Sequence, residues 1–198
     1  MTVEYTETTG RESGPGLFEF LRIDMKAVTI AGLLAGVVFL LFEMALAPAI
    51  DGWFWGPPHM ISMFAFGADP MPFTPGTFSL GVFLVGWAVH LILSVAFAAA
   101  LAVLVKRQST LMAAAIGAGF GFILYIVNFY FFTGIFEWFV AARSVVNWGA
   151  HILFGLIAGP VYVLLAHRYR ERRRGREGRR VETESRVERY PSGAEPAQ

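Results

Sequence analysis

Between Ala27 and Val105 the chain contains no lysine or arginine, and most of that stretch is apolar. About 20 apolar residues in a helix cross the hydrocarbon core of a bilayer. Four runs reach that length: residues 27–50, 80–105, 111–133 and 144–166. Backbone groups left unpaired in lipid are too costly for an open sheet, and a closed barrel would show short alternating strands instead of continuous apolar runs. The expected fold class is therefore all-α: a polytopic membrane protein with four transmembrane helices. Composition agrees, because charged residues make up 16% of the 198, against about 25% in an ordinary soluble domain. The absence of cysteine excludes disulfide scaffolds, thiolate metal sites and Cys nucleophiles.

Charge orients the spans. Arg11, Arg22 and Lys26 precede the first run, Lys106 and Arg107 follow the second, and ten of the 16 basic residues lie beyond His167. The first loop carries Asp51 and Asp69 without any basic residue, and the third carries Glu137 and a single Arg143. Positive charge marks the cytoplasmic side, so both termini are expected there. The chain then divides into an N-terminal cytoplasmic tail (1–25), a transmembrane domain (26–167) and an Arg-rich cytoplasmic tail (168–198). Roughly the first 15 residues, and the mixed-charge end from about Val181, are expected to be disordered. Ala45-Leu46-Ala47 resembles a signal cleavage site, but five acidic residues precede it where a basic region is required.

The second and fourth runs share a pattern. Trp87-Ala88-Val89-His90 aligns with Trp148-Gly149-Ala150-His151, and the same register pairs Ser94 with Gly155, Lys106 with His167 and Arg107 with Arg168. Gly32, Gly36 and Glu43 in the first run have the spacing of Gly117, Gly121 and Asn128 in the third. These matches predict two tandem, similar helical hairpins related by an axis along the membrane normal. Residues four or seven apart share a helix face. Gly32, Gly36, Gly86, Gly117, Gly121, Gly155 and Gly159 thus lie on seams where membrane helices can approach closely.

Each seam carries one polar group, and the groups share a depth. His90 is 16 residues from Lys106 and His151 is 16 from His167, about 24 Å at 1.5 Å per residue. Glu43 lies 17 residues from Lys26, and Asn128 lies 17 beyond the matching Leu111. Glu43, His90, Asn128 and His151 therefore form a predicted intramembrane polar layer in the outer half of the bilayer.

Three readings of that layer stay open. Polar side chains often hydrogen-bond between membrane helices, with Glu43 on His90 and Asn128 on His151 setting register. A structural or assembly subunit needs nothing more. Alternatively, an ionisable group in the membrane marks a functional site. Glu beside His holds or relays a proton, and two His with one carboxylate have the donors for a divalent metal. Third, two His at equal depth could be axial ligands of a haem. No enzyme motif is present, and Gly117, Gly119 and Gly121 inside an apolar run signal packing rather than nucleotide binding. A non-enzymatic protein without a resident cofactor is expected. Trp53 and Trp55 beside the first span, like Trp138 in the third loop, read as interfacial anchors. Pro57 and Pro58 are expected to stop a helix, leaving Ile61 to Phe66 for a short interfacial one. Arg168, Arg170, Arg172, Arg173 and Arg174 read as a juxtamembrane cluster that touches anionic headgroups, in preference to nucleic acid. The narrow bundle leaves apolar surface for lipid, a homodimer or another membrane partner.

The strings GLLAGVVFLLF (Gly32 to Phe42), HLILSVAF (His90 to Phe97) and HILFG (His151 to Gly155) resemble small uncharacterised bacterial inner-membrane proteins, loosely of the YagU type. The resemblance covers the four-helix region and not the tails. It implies a multi-pass inner-membrane location, and no reaction, substrate or site residue.

Overall fold

A computed structural model describes residues 23–51, 54–67 and 78–189, which contain helices and no strand. The expected disorder of the first residues falls outside them, as do Trp53, Asp69 and the chain beyond residue 189. The helices are α1 (Met25–Asp51), α2 (Gly56–Phe66), α3 (Leu80–Val105), α4 (Thr110–Ile126) and α5 (Val145–Arg189). After α4 the chain widens into a π-helical turn, Val127–Phe131, and then tightens into 3₁₀ segments at Phe132–Gly134 and Glu137–Ala142. Four helical stretches are long and apolar enough to cross a membrane; three coincide with the expected runs to within a few residues, and the fourth begins with its run at Val145 but continues to Arg189.

Local chemistry fixes the ends. The Asp24 carboxylate accepts from the backbone of Lys26 and Ala27 at 3.1 Å each, which caps α1. Ser109 caps α4 by accepting from the Met112 backbone at 3.3 Å. Pro57 and Pro58, expected to stop a helix, instead begin α2. A first-turn N–H has no intrahelical partner, so proline loses nothing there, and its fixed φ favours the helix. At the other extreme, α5 continues to Arg189, past the order expected to end near Val181 and through Gly175 and Gly178. Local side-chain bonds support that extension: Arg180 Nε to Glu184 at 2.8 Å, Thr183 Oγ1 to the Arg179 carbonyl at 2.9 Å and Arg189 Nε to the Ser185 carbonyl at 3.2 Å.

α1 and α5 form the centre. Of their most apolar stretches, 56% and 50% of residues are buried, against 33% for α3 and 28% for α4. α3 packs on α1, and α4 packs on α5. The core nearest the Lys106–Ser109 turn is made mostly of small residues: Ala27, Ala31 and Ala35 on α1, Ala98 and Ala102 on α3, Ala113 on α4, Ala158 and Ala166 on α5. Small side chains let the four helices close tightly there. Toward the opposite end the inward residues become Phe39, Glu43, His90, Asn128 and His151, and the bundle opens.

Glycines decide how close each pair comes. A Cβ on Gly117 would strike the Gly155 carbonyl, one on Gly155 would strike the Gly117 carbonyl, and one on Gly121 would strike the His151 carbonyl. Across α1 and α3, a Cβ on Gly32 would lie 2.8 Å from Val95 Cα and 3.0 Å from the Ser94 carbonyl, while one on Gly36 would meet the Ser94 hydroxyl at 2.5 Å. Gly159 faces the Ala113 carbonyl. Gly86 serves a different contact, because its neighbour is the Pro58 backbone, and it seats α2 against α3.

Candidate functional site: a polar-lined cavity

The wide end of the bundle encloses a cavity of about 850 Å³. All four residues of the predicted polar layer, Glu43, His90, Asn128 and His151, line it. They come from α1, α3, the π-turn and α5. Asn147, one turn before His151, lines it as well.

The contacts within the layer differ from residue to residue. His90 Nε2 donates to the Gly36 carbonyl at 2.9 Å, tying α3 to α1. His151 Nδ1 donates to the carbonyl of Asn147 at 2.8 Å, and its Nε2 accepts from Asn128 Nδ2 at 3.2 Å. The possible Asn128–His151 pair is therefore made. The possible Glu43–His90 pair is not. Glu43 is 5% exposed, and no hydrogen bond or ion pair reaches it among the described residues. The Phe39 ring centroid lies 5.0 Å from that of His90 and 4.8 Å from that of His151, so one apolar ring packs against both imidazoles.

That placement bears on the ligand-holding readings. Among the described residues no three His, Asp or Glu side chains converge as metal ligands. The two imidazoles both pack on Phe39 and are engaged through Gly36 in one case and Asn128 and Asn147 in the other, a geometry that does not fit a bis-His haem pair.

Aromatic side chains close the wide end. Phe64 of α2 packs against Phe136 at 4.9 Å and Phe139 at 5.1 Å, and these residues with Trp138 lie along the cavity. Trp55 stacks near Phe78 at 4.7 Å and Phe83 at 5.5 Å. His59 belongs to this cap: its Nδ1 donates to the Trp55 carbonyl at 2.8 Å, and burial lowers its pKa below the usual imidazole value.

Arg143 has a role that its sequence context did not reveal. Its Nε donates to the Phe129 carbonyl at 2.7 Å, its second guanidinium arm reaches Thr133 Oγ1 at 3.0 Å, and Tyr130 lies 4.6 Å beneath the cation. The π-turn disrupts the regular ladder of the helix, and Arg143 supplies a donor to the Phe129 carbonyl. Nothing in the residue's spacing signals this, because the freed acceptor exists only once α4 has unwound. Asn147 was legible as a face-mate of His151, four residues away.

The basic cluster lies on the part of α5 beyond the core. Arg168, Arg170, Arg172, Arg173 and Arg174 are exposed. Arg170 Nε returns to the Ala166 carbonyl at 3.2 Å, and Arg173 approaches Asp24 at 4.0 Å, next to the α1 cap.

Fold and site together define an all-helical bundle with four helices capable of spanning a membrane and a cavity at one end. No protein-family model, curated protein or solved structure matches the chain.

Proposed function

We propose that this chain is a multi-pass inner-membrane protein, with both termini cytoplasmic, whose non-enzymatic activity resides in the cavity at the outer level of the bundle and responds to protons. The carrying observation is Glu43: an ionisable side chain, 5% exposed, lining a cavity without a described partner. Isolated carboxylates are expensive in lipid, and such groups mark pathways or ligand sites. His90 and His151 are the other titratable groups on the cavity wall. The two helix pairs are read as a tandem repeat. Support comes from corresponding contacts: Gly32 meets the Ser94 carbonyl as Gly117 meets that of Gly155, and Gly36 meets Leu91 as Gly121 meets Ile152. The α5 cluster from Arg168 to Arg174 is read as a contact for anionic headgroups.

Trp138 on the cavity wall provides the readout. With the other four tryptophans replaced by phenylalanine, its fluorescence in the purified protein should change with pH, and Glu43→Gln in that background should flatten the profile while thermal stability is retained. An identical profile in the two proteins would overturn the reading.

A second reading, a structural or assembly subunit, has its own support in two cross-helix bonds, His90 to Gly36 and Asn128 to His151. It predicts that replacing either imidazole lowers stability and leaves every pH response intact.

A further inference from the structure

The cavity's ionisable character is one-sided. A carbonyl only accepts, so His90 carries its proton on Nε2, toward Gly36, and His151 carries its proton on Nδ1, toward Asn147. Asn128 Nδ2 then fills the lone pair of His151 Nε2. Both imidazole N–H groups are thus used by the protein itself, while the second Asn128 N–H and the buried Trp138 Nε1–H have no partner among the described residues. His90 Nδ1 and Asn128 Oδ1 remain as acceptors. Asn147 Oδ1 is buried without a partner among the described residues. Glu43 adds a carboxyl group aimed into the same space. No Lys or Arg lines the cavity among the described residues. Its walls are aromatic, with Phe39, Phe129 and Trp138 around the polar layer. A volume of about 850 Å³ is within the range of pockets for drug-sized molecules.

One carboxyl group, no basic Lys or Arg among the described lining residues and aromatic walls call for a ligand with positive charge and an apolar body. We propose that the cavity binds a protonated lipophilic amine, with the Glu43 carboxylate as its counter-charge and the aromatic rings holding the apolar body. Aromatic faces add attraction for the cation. This deepens the proposed function and rests on it, since Glu43 is central to both.

The test uses the full-length chain in a non-ionic detergent and the fluorescence polarisation of rhodamine 6G, a lipophilic cation with N–H groups. Binding should saturate, Glu43→Gln should weaken it at least tenfold, and Glu43→Asp should retain it within a few-fold. Competition by 4-phenylbutylamine should displace the dye, and its uncharged analogue 4-phenylbutanol should not. Equal binding by Glu43→Gln, or equal displacement by the alcohol, would overturn the proposal. The pH profile of Trp138 fluorescence separates the two claims. A Glu43-dependent profile without saturable dye binding refutes the amine and leaves the proton-responsive cavity standing, whereas loss of both refutes both.

Discussion

In the first helix pair, His90 donates to a backbone carbonyl of α1 and Glu43 is left facing the cavity; in the second, His151 turns to Asn128, the residue at the position equivalent to Glu43. The spacing in the sequence is the same and the bonding is not. Phe39 packs against both imidazoles alike, so the difference lies in the helices that carry their partners. The π-turn sets Asn128 within reach of His151, whereas Glu43 lies on a continuous α-helix. The pairs also differ in packing. Gly32 and Gly117 both meet backbone, but Gly121 meets the His151 carbonyl where Gly36, at the matching spacing, meets the Ser94 side chain. One pair is thus closed on itself, and the other keeps an acidic group available. Equal sequence positions do not imply equal roles once the helices around them differ.

The largest effects should come from the glycines. Gly155→Leu forces a side chain into the Gly117 carbonyl, which cannot move without separating α4 from α5, and a loss of about 3 kcal/mol or more is expected. Gly36→Ala meets the Ser94 hydroxyl at 2.5 Å and its Cβ at 2.7 Å but no carbonyl, so a smaller shift of α3, at about 1–3 kcal/mol, is the expected cost. Gly119→Ala, with open space around it, should be near neutral. Unfolding in detergent would rank the three, and equal losses for Gly155→Leu and Gly36→Ala would erase the contrast in packing.

Next comes Arg143→Met. It removes one of two side-chain donors to the Phe129 carbonyl, leaving the Thr133 hydroxyl at 3.2 Å, at an expected cost of about 1 kcal/mol. Accelerated amide exchange should appear in Val127–Phe131 and leave α1 unaffected. A variant as stable as the parent would show that the turn needs no external donor.

A smaller effect tests the bonding directly. A double-mutant cycle on Asn128 and His151 should give a coupling of about 0.6 kcal/mol, the average for such bonds in membrane helices. The same cycle on Glu43 and His90 should give none. Coupling in both cycles would make the pairs alike and remove the case for a free carboxylate.

The smallest effect concerns the cap. Burial lowers the His59 pKa, so the folded protein favours the neutral ring. Its stabilising contribution is complete above the ordinary imidazole pKa and falls away as pH drops through the lowered folded value. Replacing His59 with Gln should make the melting temperature less sensitive to pH on the acidic side of neutrality. An unchanged slope would assign the acid sensitivity elsewhere.

Much of this molecule is written in its linear pattern. Apolar length placed the spans, because lipid allows a continuous apolar helix few alternatives. Helical spacing brought four polar residues to one level, because rise per residue is constant. Glycine spacing marked the seams, although Gly86 packs on Pro58 instead of on another span. Partner choice was not legible in this way. Whether His90 meets Glu43 or Gly36 depends on the rotation of two helices. Arg143 found its role only because a helix unwinds fourteen residues earlier in the chain, at Phe129. The cavity has the same origin: small residues close one end of the bundle and large ones hold the other apart. Hydrophobicity and periodicity are properties of single helices and survive in the sequence. Hydrogen-bond partners and empty volume are properties of several helices at once, and only their packing decided them.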